Sequence, residues 1–318
     1  MNTIVNFIFA ALLAGTPLLF GTLGELISEK AGCLNLGVEG MMWIGSFAGF
    51  FAALKTGSAI LSLAAAFGAA ALGAAIYAFL TVTLRANQNV TGLTLTTFGV
   101  GLSLVLGSAM CQAHGAAPSL SASFRGKLAP LAIPFLSELP IAGKLVFSLY
   151  PMTYFAVALC VIAAVFYKKT RTGLSVRAVG ENPAAADAAG VSVSAAKYAS
   201  VIVGGGICGI GGAFMSLIIG NGTWMPAGIV NGFGWIAVAL VIFVRWKPML
   251  AVLGAFVFGI FQSMRYYIPD SVLSLPNAFY QMLPFVLTLV VLVASSIRKS
   301  VGSGEPSAIG LNYFREER

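Results

Sequence analysis

The chain has 318 residues, of which 58% are hydrophobic and only 9% are charged, and its mean hydropathy is +0.93. Soluble domains carry about 25% charged residues, so this composition excludes a soluble protein and predicts a polytopic membrane protein. The net charge of +8 does not indicate nucleic-acid binding, because the basic residues flank apolar runs in twos and threes instead of forming one basic face.

The apolar runs predict a single all-α domain over 1–318. The N-terminus leads directly into apolar sequence without a basic region or a cleavage site, so the first segment is expected to remain as a membrane span. A crossing helix needs about 20 apolar residues. The sequence predicts eight to ten membrane crossings, because it does not decide whether the segment 24–40 crosses the membrane fully or re-enters it. Nine candidates lie at about 4–24, 33–54, 58–84, 90–110, 146–167, 198–220, 229–244, 248–264 and 282–297.

The basic residues predict the orientation of these spans. If 168–197 is a cytoplasmic loop, alternation places 13 of the 18 basic residues on the cytoplasmic side, including those of the tail 298–318. The other five would lie outside: Lys55, Arg125, Lys127, Lys144 and Arg265. This asymmetry follows the positive-inside rule and predicts a cytoplasmic C-terminus.

Two stretches of the chain echo each other at an offset of 192 residues. Trp43-Ile44 and Lys55 recur as Trp235-Ile236 and Lys247, and Leu95-Thr96 recurs as Leu287-Thr288. Five predicted crossings separate the two tryptophans, so the halves would run in opposite senses. The echo indicates the inverted repeat found in many transporters, or else chance matching between two sequences rich in Ala, Leu and Gly.

The segment 24–40, GELISEKAGCLNLGVEG, places several charges between two apolar runs. Glu25 and Glu29 share a helix face and repel each other unless a neighbour compensates. One interpretation is a short cytoplasmic loop with solvated charges. The other is a broken helix, which must be buried in protein or line a cavity because lipid cannot satisfy irregular backbone. In that case Asn35, Gly37, Glu39 and Trp43 are predicted to shape a substrate pathway.

The span that begins near Asn89 is unusually rich in hydroxyl groups. Such hydroxyls usually bond to the backbone or to neighbouring helices, which makes structural packing one interpretation. As a group they could instead bind a neutral polar solute, and the scarcity of acids and bases in the other spans argues against ion coupling. The residues assigned to this second stretch of pathway are Asn89, Thr91, Thr94 and Thr96.

The loop 168–197 contains the pattern of a short helix with defined ends. Asn182 is typical of an N-cap and Pro183 of the first helical position, and Gly190 would end the helix after a run of alanines. The helix either caps the bundle at the interface or inserts into a groove of a partner protein, for which its small side chains are suited.

The residue inventory argues against an enzyme. The single histidine, His114, excludes a multi-histidine metal site, and no P-loop motif occurs, so the chain cannot bind ATP through one of its own. The stretch 204–209 satisfies G-x-G-x-x-G but opens no βαβ unit, and we interpret it, like Gly45 and Gly49, as close helix packing. The four cysteines lack C-x-x-C spacing and are interpreted as small buried residues. No cofactor or metal is expected.

Three motifs resemble the membrane permeases of bacterial ABC importers in the branched-chain amino acid and simple-sugar permease superfamily. They are GELISEKAGCLNLGVEGMMWIG at 24–45, RAVGENPAAADAAGV at 177–191 and GFGWIAVALVIFVRWKP at 232–248. The first most resembles the nucleoside-type permeases that are paired with lipoproteins of the basic-membrane-protein type. The resemblance covers nearly the whole chain and implies a single permease domain in the inner membrane.

The resemblance also implies partners and a mechanism. The chain would pair with a second, related permease, bind an ATP-binding cassette ATPase, and receive solute from an extracytoplasmic lipoprotein, with transport by alternating access. The loop 168–197 would be the coupling loop, with ATPase contacts from Glu181, Asn182, Pro183, Ala185, Ala186, Asp187 and Gly190. Many importer permeases have E-A-A-x-x-x-G here; this chain has Ala184 in place of the Glu, which removes an expected salt bridge to the ATPase.

The solute implied by the resemblance is a nucleoside. Two alternatives stay open: an importer permease for simple sugars or riboflavin, and a secondary transporter that works without ATP. A secondary carrier would be expected to place acids or bases within its spans for ion coupling, and outside 25–39 this sequence shows few.

Overall fold

The computed structural model describes residues 2–131, 142–225, 229–264, 266–267, 279, 282–283, 285–290, 293 and 304–315. These parts of the chain are almost entirely helical. The helices are α1 (Asn2–Lys30), α2 (Val38–Thr56), α3 (Ala59–Ala78), α4 (Gln88–His114), α5 (Ala122–Lys127), α6 (Ala142–Val146), α7 (Pro151–Lys169), α8 (Arg171–Glu181), α9 (Pro183–Ala188), α10 (Val193–Phe214), α11 (Phe233–Phe243) and α12 (Pro248–Met264). One π-helical turn extends α3 to Thr83 and another extends α10 to Ile219.

Five of the described helices are long and apolar enough to cross a membrane. They are Thr3–Lys30, Ala59–Thr83, Gln88–His114, Pro151–Lys169 and Val193–Ile219. The shorter α11 and α12 are also apolar. The architecture confirms the predicted all-α, polytopic class. The exact total of crossings stays a prediction, since most of the ninth apolar run, 282–297, lies outside the described residues.

Two predicted crossings are shorter in the structure than the apolar runs suggested. The run 33–54 becomes helical only at Val38, and the run 229–244 yields only the 11 residues of α11. Eleven residues rise about 16 Å, roughly half of the 30 Å of a bilayer core. The starts of both runs, 33–37 and 229–232, are not helical, so α11 has the length of a half-helix.

Helix α10 lies at the centre of the bundle. In its most apolar window 78% of the residues are buried, against 33 to 50% in the other four long helices. Its glycines permit this position: Gly204 packs on Gly24, Gly209 on Gly45, and a Cβ on Gly212 would collide with the Met42 carbonyl. Close backbone contacts of this kind replace hydrophobic driving force between helices in lipid. The interpretation of 204–209 as a packing motif is confirmed.

The two echoed segments, α2 and α11, run in opposite directions. Helix α11 runs parallel to α1, because Ala237 lies beside Thr22 and Trp246 lies beside Glu29. Helix α10 runs antiparallel to α1 and parallel to α2, as its successive glycine contacts show. Helices α2 and α11 are therefore antiparallel. This is the arrangement that an inverted repeat requires, and the repeat itself stays a prediction.

Candidate functional site

A buried, non-helical segment separates α1 from α2 inside the bundle. Lys30 ends α1 and Val38 begins α2, while Asn35 between them is 1% exposed. Glu25 and Glu29 are 0% and 1% exposed, so their charges are not solvated. The alternative of a short solvated loop is therefore wrong. The broken helix buried in protein is confirmed.

The buried break pairs most of its polar groups within the chain, and Glu25 Oε2 is the exception, since it is buried without a hydrogen-bond partner. The Asn35 backbone N–H donates to Glu25 Oε1 at 2.8 Å, and Asn35 Oδ1 accepts from the Gly37 N–H at 2.9 Å. The Tyr77 hydroxyl donates to the Leu34 carbonyl at 2.6 Å. Because buried polar groups cost free energy unless they are paired, these bonds hold the irregular segment in one conformation.

Glu39 joins this break to the second one. Its carboxylate accepts three hydrogen bonds: from Trp43 Nε1 at 3.1 Å, from the Gly232 N–H at 2.9 Å and from the Gly234 N–H at 2.7 Å. Gly232 is the N-cap of α11, so the carboxylate lies at the positive end of that helix dipole. A carboxylate 5% exposed is stabilised there by charge-assisted bonds. Glu39 thus positions the half-helix α11.

Trp246 compensates the acidic pair on α1. Its indole N–H donates to Glu29 Oε2, and the residue is 5% exposed just beyond the end of α11. Together with Glu39, this bond attaches α11 at both ends to the first two helices. Each of the two acids thus accepts a donor from a separate segment, Glu25 from the break at Asn35 and Glu29 from the end of α11.

Some hydroxyl groups of α4 bond to another segment of the chain, and others bond to the backbone of α4 or of the residue before it. The Thr96 hydroxyl donates to the Leu36 carbonyl at 2.8 Å, which ties α4 to the break, and Thr91 donates to the Asn87 carbonyl at 2.8 Å. Thr94 is exposed and donates to the Val90 carbonyl within its own helix, and Asn89 is exposed at the first turn. Thr91 and Thr94 also line a largely apolar groove between α3 and α4.

The predicted pathway residues therefore do not form one cluster. Asn35, Glu39, Trp43 and Thr96 surround the buried break, whereas Thr91 and Thr94 line the groove between α3 and α4, and Asn89 is exposed on another side of α4. In the first group the side-chain bonds described above run to other groups of the same chain, and these bonds support a scaffold. Their role in a substrate pathway stays a prediction.

The short helix α9 has the ends that its sequence predicted. Asn182 Oδ1 accepts from the Ala185 N–H at 3.0 Å, Pro183 occupies the first turn, and Gly190 has a left-handed φ of 84°. Gly190 donates to the Asp187 carbonyl, and Val191 donates to the Ala186 carbonyl, which closes the end of the helix. These features confirm the helix and its caps.

Helix α9 has an inner and an outer face. Ala186 is 3% exposed and packs with Val179 and Val193, whereas Ala185 and Ala189 are exposed. The outer alanines border a shallow groove between α8 and α9, which is also lined by Leu174, Ala178, Asn182 and Val191. A surface of small side chains beside a groove is suited to close contact with another protein.

The acids of this region are paired with the C-terminal tail. Asp187 accepts from the Tyr313 hydroxyl at 2.8 Å and lies 3.1 Å from Arg315 Nε. Glu181 accepts from the Ser307 hydroxyl at 2.9 Å. Sequence reasoning assigned both acids to an ATPase contact and missed their tail partners, because the intervening chain is too long for any local pattern to predict the pairing.

The other groups missed from the sequence are Gly232, Gly234 and Trp246. The signal was present, since the motif at 232–248 contains all three, but a glycine or tryptophan in an apolar run does not reveal which acid it will contact. The four cysteines are free; Cys33, Cys160 and Cys208 are buried, as predicted, whereas Cys111 is partly exposed. The described residues contain no cluster of three or more potential metal ligands.

Comparison with known proteins identifies the family. Residues 7–292 match the family described as branched-chain amino acid transport system, permease component. The nucleoside ABC transporter permease NupC of Lactococcus lactis is 34% identical over 100% of this chain and 99% of its own, and the guanosine ABC transporter permease NupQ of Bacillus subtilis is 33% identical over 97% and 96%. TsgC13 of Haloferax volcanii, named provisionally as a glucose ABC transporter permease, is 36% identical over 99% of each chain.

No solved structure matches the chain significantly. The family match nevertheless covers most of the chain and includes both breaks, the α8–α9 segment and the central helix α10. Permease subunits of this kind are not themselves enzymes. The chain belongs to the permease component family of branched-chain amino acid transport systems and is a multi-pass membrane permease of an ABC transporter.

Proposed function

We propose that this permease imports nucleosides. The observation that carries the proposal is full-length similarity to two proteins named for that solute class, NupC and NupQ, at 34% and 33% identity. The resemblance of the motif at 24–45 to nucleoside-type permeases supports the same solute. That motif forms the buried break and the first turns of α2, so the similarity includes the part of the bundle where the two echoed segments meet.

Glucose is the second candidate solute. It is favoured by the 36% identity to TsgC13 and by 30% identity to the glucose ABC transporter permease TsgB13 over 78% of this chain. Nucleosides and glucose are both neutral and rich in hydroxyl groups, so one kind of polar, uncharged pathway would suit either of them. Discrimination between them requires transport measurements.

The proposed assembly is a heterodimer of permeases with an ATP-binding cassette ATPase and an extracytoplasmic solute-binding lipoprotein. The similarity to NupB, 35% over 86 residues, supports a second, related permease, because NupB and NupC are permeases of the same named solute class in one organism. An ATPase is needed since this chain has no P-loop of its own.

We place α8, α9 and the C-terminus in the cytoplasm of a bacterial cell, with the chain in the inner membrane. The end of the bundle that carries α8 and α9 also carries Lys30, Arg85 and the tail residue Arg315. At the opposite end, Lys127 bonds to Gly57 and Lys144 bonds to Asn6. This distribution matches the positive-inside rule with α8 and α9 on the cytoplasmic side.

In the proposed mechanism α9 couples the ATPase to alternating access. Closure of two ATPase subunits moves α9, and the movement tilts the permeases between inward-facing and outward-facing states. The residues assigned to this contact are Glu181, Asn182, Pro183, Ala185, Ala186, Asp187 and Gly190. Among these, Ala185 is exposed on the outer face, whereas Ala186 and the two acids support the helix from within the chain.

The test is transport by the reconstituted complex. The permease is purified with the ATPase, second permease and lipoprotein proposed as its partners, placed in liposomes that contain ATP, and given labelled guanosine, uridine, glucose or riboflavin. We expect ATP-dependent uptake of the nucleosides and little uptake of the other two. Uptake of glucose without nucleosides would replace the proposed solute, and uptake that does not depend on ATP would contradict the assembly.

A further inference from the structure

The described part of the C-terminal tail, residues 304–315, runs across one end of the helix bundle. We call it the C-terminal strap. It has little regular structure, yet Pro306 and Ala308 are buried and Tyr313 is half-buried. A polar tail that is merely solvated would not bury residues in this way. The strap therefore packs as part of the fold.

The strap bonds to the ends of several membrane helices. The Gly310 N–H donates to the Gly32 carbonyl at 3.1 Å, beside the end of α1. Lys197 Nζ, on a residue 3% exposed in α10, donates to the Leu311 carbonyl at 3.1 Å. Asn312 accepts from Gln88 Nε2, at the start of α4, at 3.2 Å and donates to the Arg85 carbonyl, in the connection before α4, at 2.6 Å. Three helices are thus joined by one segment.

The same strap bonds to α8 and α9. The Ala308 N–H donates to the Gly180 carbonyl at 2.9 Å, and the Ser307 hydroxyl donates to Glu181. Tyr313 packs on the small core of Val179, Ala186 and Val193, and its hydroxyl donates to Asp187. The ring of Tyr313 therefore supports the inner face of α9, opposite the exposed alanines.

We infer that the C-terminal strap makes α8, α9 and the adjoining ends of α1, α4 and α10 move as one rigid unit, with Asn312 and Tyr313 as its positioning residues. This inference rests on the proposed coupling role of α9. A force applied to α9 reaches the membrane helices through the strap as well as through the chain that continues into α10. The strap thus reduces the movement lost between the ATPase and the bundle.

Removal of the strap's side-chain contacts should weaken the coupling between ATP hydrolysis and transport. The double variant Asn312→Ala/Tyr313→Ala removes the side-chain contacts with α4 and with α9. The ATPase still binds, because the outer face of α9 is unchanged, but α9 moves without carrying α4. We expect the ratio of solute taken up to ATP hydrolysed to fall about tenfold, within the range usual for coupling between sites. Leu311→Ala is the matched control, since that side chain is 58% exposed and only its carbonyl is used.

A distance measurement tests rigidity without any solute. Nitroxide labels are attached at Val90→Cys, which is 61% exposed in the first turn of α4, and at Arg177→Cys on the exposed side of α8. The background is Cys111→Ala, since the other three cysteines are buried. Pulsed electron resonance then compares the full complex in its nucleotide-free state and in its state trapped with ATP and vanadate.

In the otherwise unaltered chain we expect one narrow distance that is the same in both states. In the double variant we expect a broader distribution that shifts between the states. A distance that shifts in the unaltered chain, or that stays narrow and constant in the double variant, would overturn the inference. If the double variant does not reach the membrane, Tyr313→Phe and Asn312→Ala are measured separately against the same criteria.

The two proposals fail separately. If nucleosides are not taken up, the proposed solute is wrong, but the distances between the labels can still be interpreted. The distance measurement needs only ATP and vanadate and no solute. A shifting distance in a complex that takes up nucleosides normally would remove the strap's role and leave the solute intact.

Discussion

The buried break around Glu39 and the short helix α9 show two ways in which this chain satisfies the backbone groups at the ends of its helices. At Glu39 a carboxylate within the bundle accepts three donors from two different segments. At α9 the caps are local, from Asn182 and Gly190, and the outer face carries only small side chains. The first region depends on long-range bonds that lipid cannot replace, and the second leaves a surface open to a partner.

The largest effect is expected from removing the carboxylate at the break. Glu39→Ala leaves Trp43 Nε1 and the Gly232 and Gly234 N–H groups without an acceptor, which should cost about 3 kcal/mol or more of the free energy of unfolding. A thermal unfolding scan of the detergent-solubilised protein measures the loss. Glu39→Gln keeps one acceptor oxygen, so its stability should lie between that of the unaltered protein and that of Glu39→Ala. Unaltered stability in Glu39→Ala would show that the break does not depend on this residue.

The second-largest effect is expected from blocking the outer face of α9. Ala185→Trp adds a large side chain to an exposed position beside the α8–α9 groove and should reduce ATP-driven uptake by at least about tenfold while protein accumulation stays normal. Copurification of the ATPase is measured in parallel and should fall. Ala122→Trp, at an exposed position in α5 on the opposite end of the bundle, is the matched control for ATPase binding. Equal copurification in the two variants would contradict the coupling surface.

A smaller effect is expected from the cap of α9. Asn182→Ala removes the side-chain acceptor of the Ala185 N–H, a loss typically of about 1 kcal/mol. The change should raise hydrogen exchange in 183–189 without altering exchange at the buried break. Asn182→Asp retains an acceptor and should restore protection. If exchange rises equally throughout the protein, the cap is part of the global fold and the two regions are not independent.

The smallest effect concerns Cys33 beside the break. Its thiol is fully buried, so a reagent dissolved in water does not reach it. Maleimide should therefore label Cys111, which is partly exposed, and leave Cys33 unlabelled at pH 7. Mass spectrometry of the labelled peptides provides the measurement. Rapid labelling of Cys33 at pH 7 would show that water enters the break.

Local rules predicted α9 well and the buried break only in part. Asn182, Pro183 and Gly190 act through bonds to residues within a few positions, so their spacing is sufficient to place both ends of the helix. For the break, the cost of charge in lipid showed that Glu25 and Glu29 needed partners. It could not identify Trp246, which lies 217 positions from Glu29 along the chain.

The apolar runs predicted the helices but overestimated two of them. Composition cannot distinguish a crossing helix from a half-helix when the irregular part carries no charge and continues an apolar run, as 229–232 does. The distinction depends on whether another segment supplies hydrogen bonds to the free backbone, as Glu39 does for Gly232 and Gly234. The pairing of the strap with Asp187 was unpredictable for the same reason, because it joins segments 126 positions apart.

The most direct test of the account is a cross-link from α9 to the ATPase in the assembled complex. Ala185→Cys, on the Cys111→Ala background, is treated with a short cysteine-to-lysine cross-linker and compared with Ala122→Cys in α5. The account predicts a cross-linked band that contains the ATPase for Ala185→Cys and none for Ala122→Cys. A band for Ala122→Cys alone, or none at position 185 in a complex that hydrolyses ATP and transports solute, would contradict it.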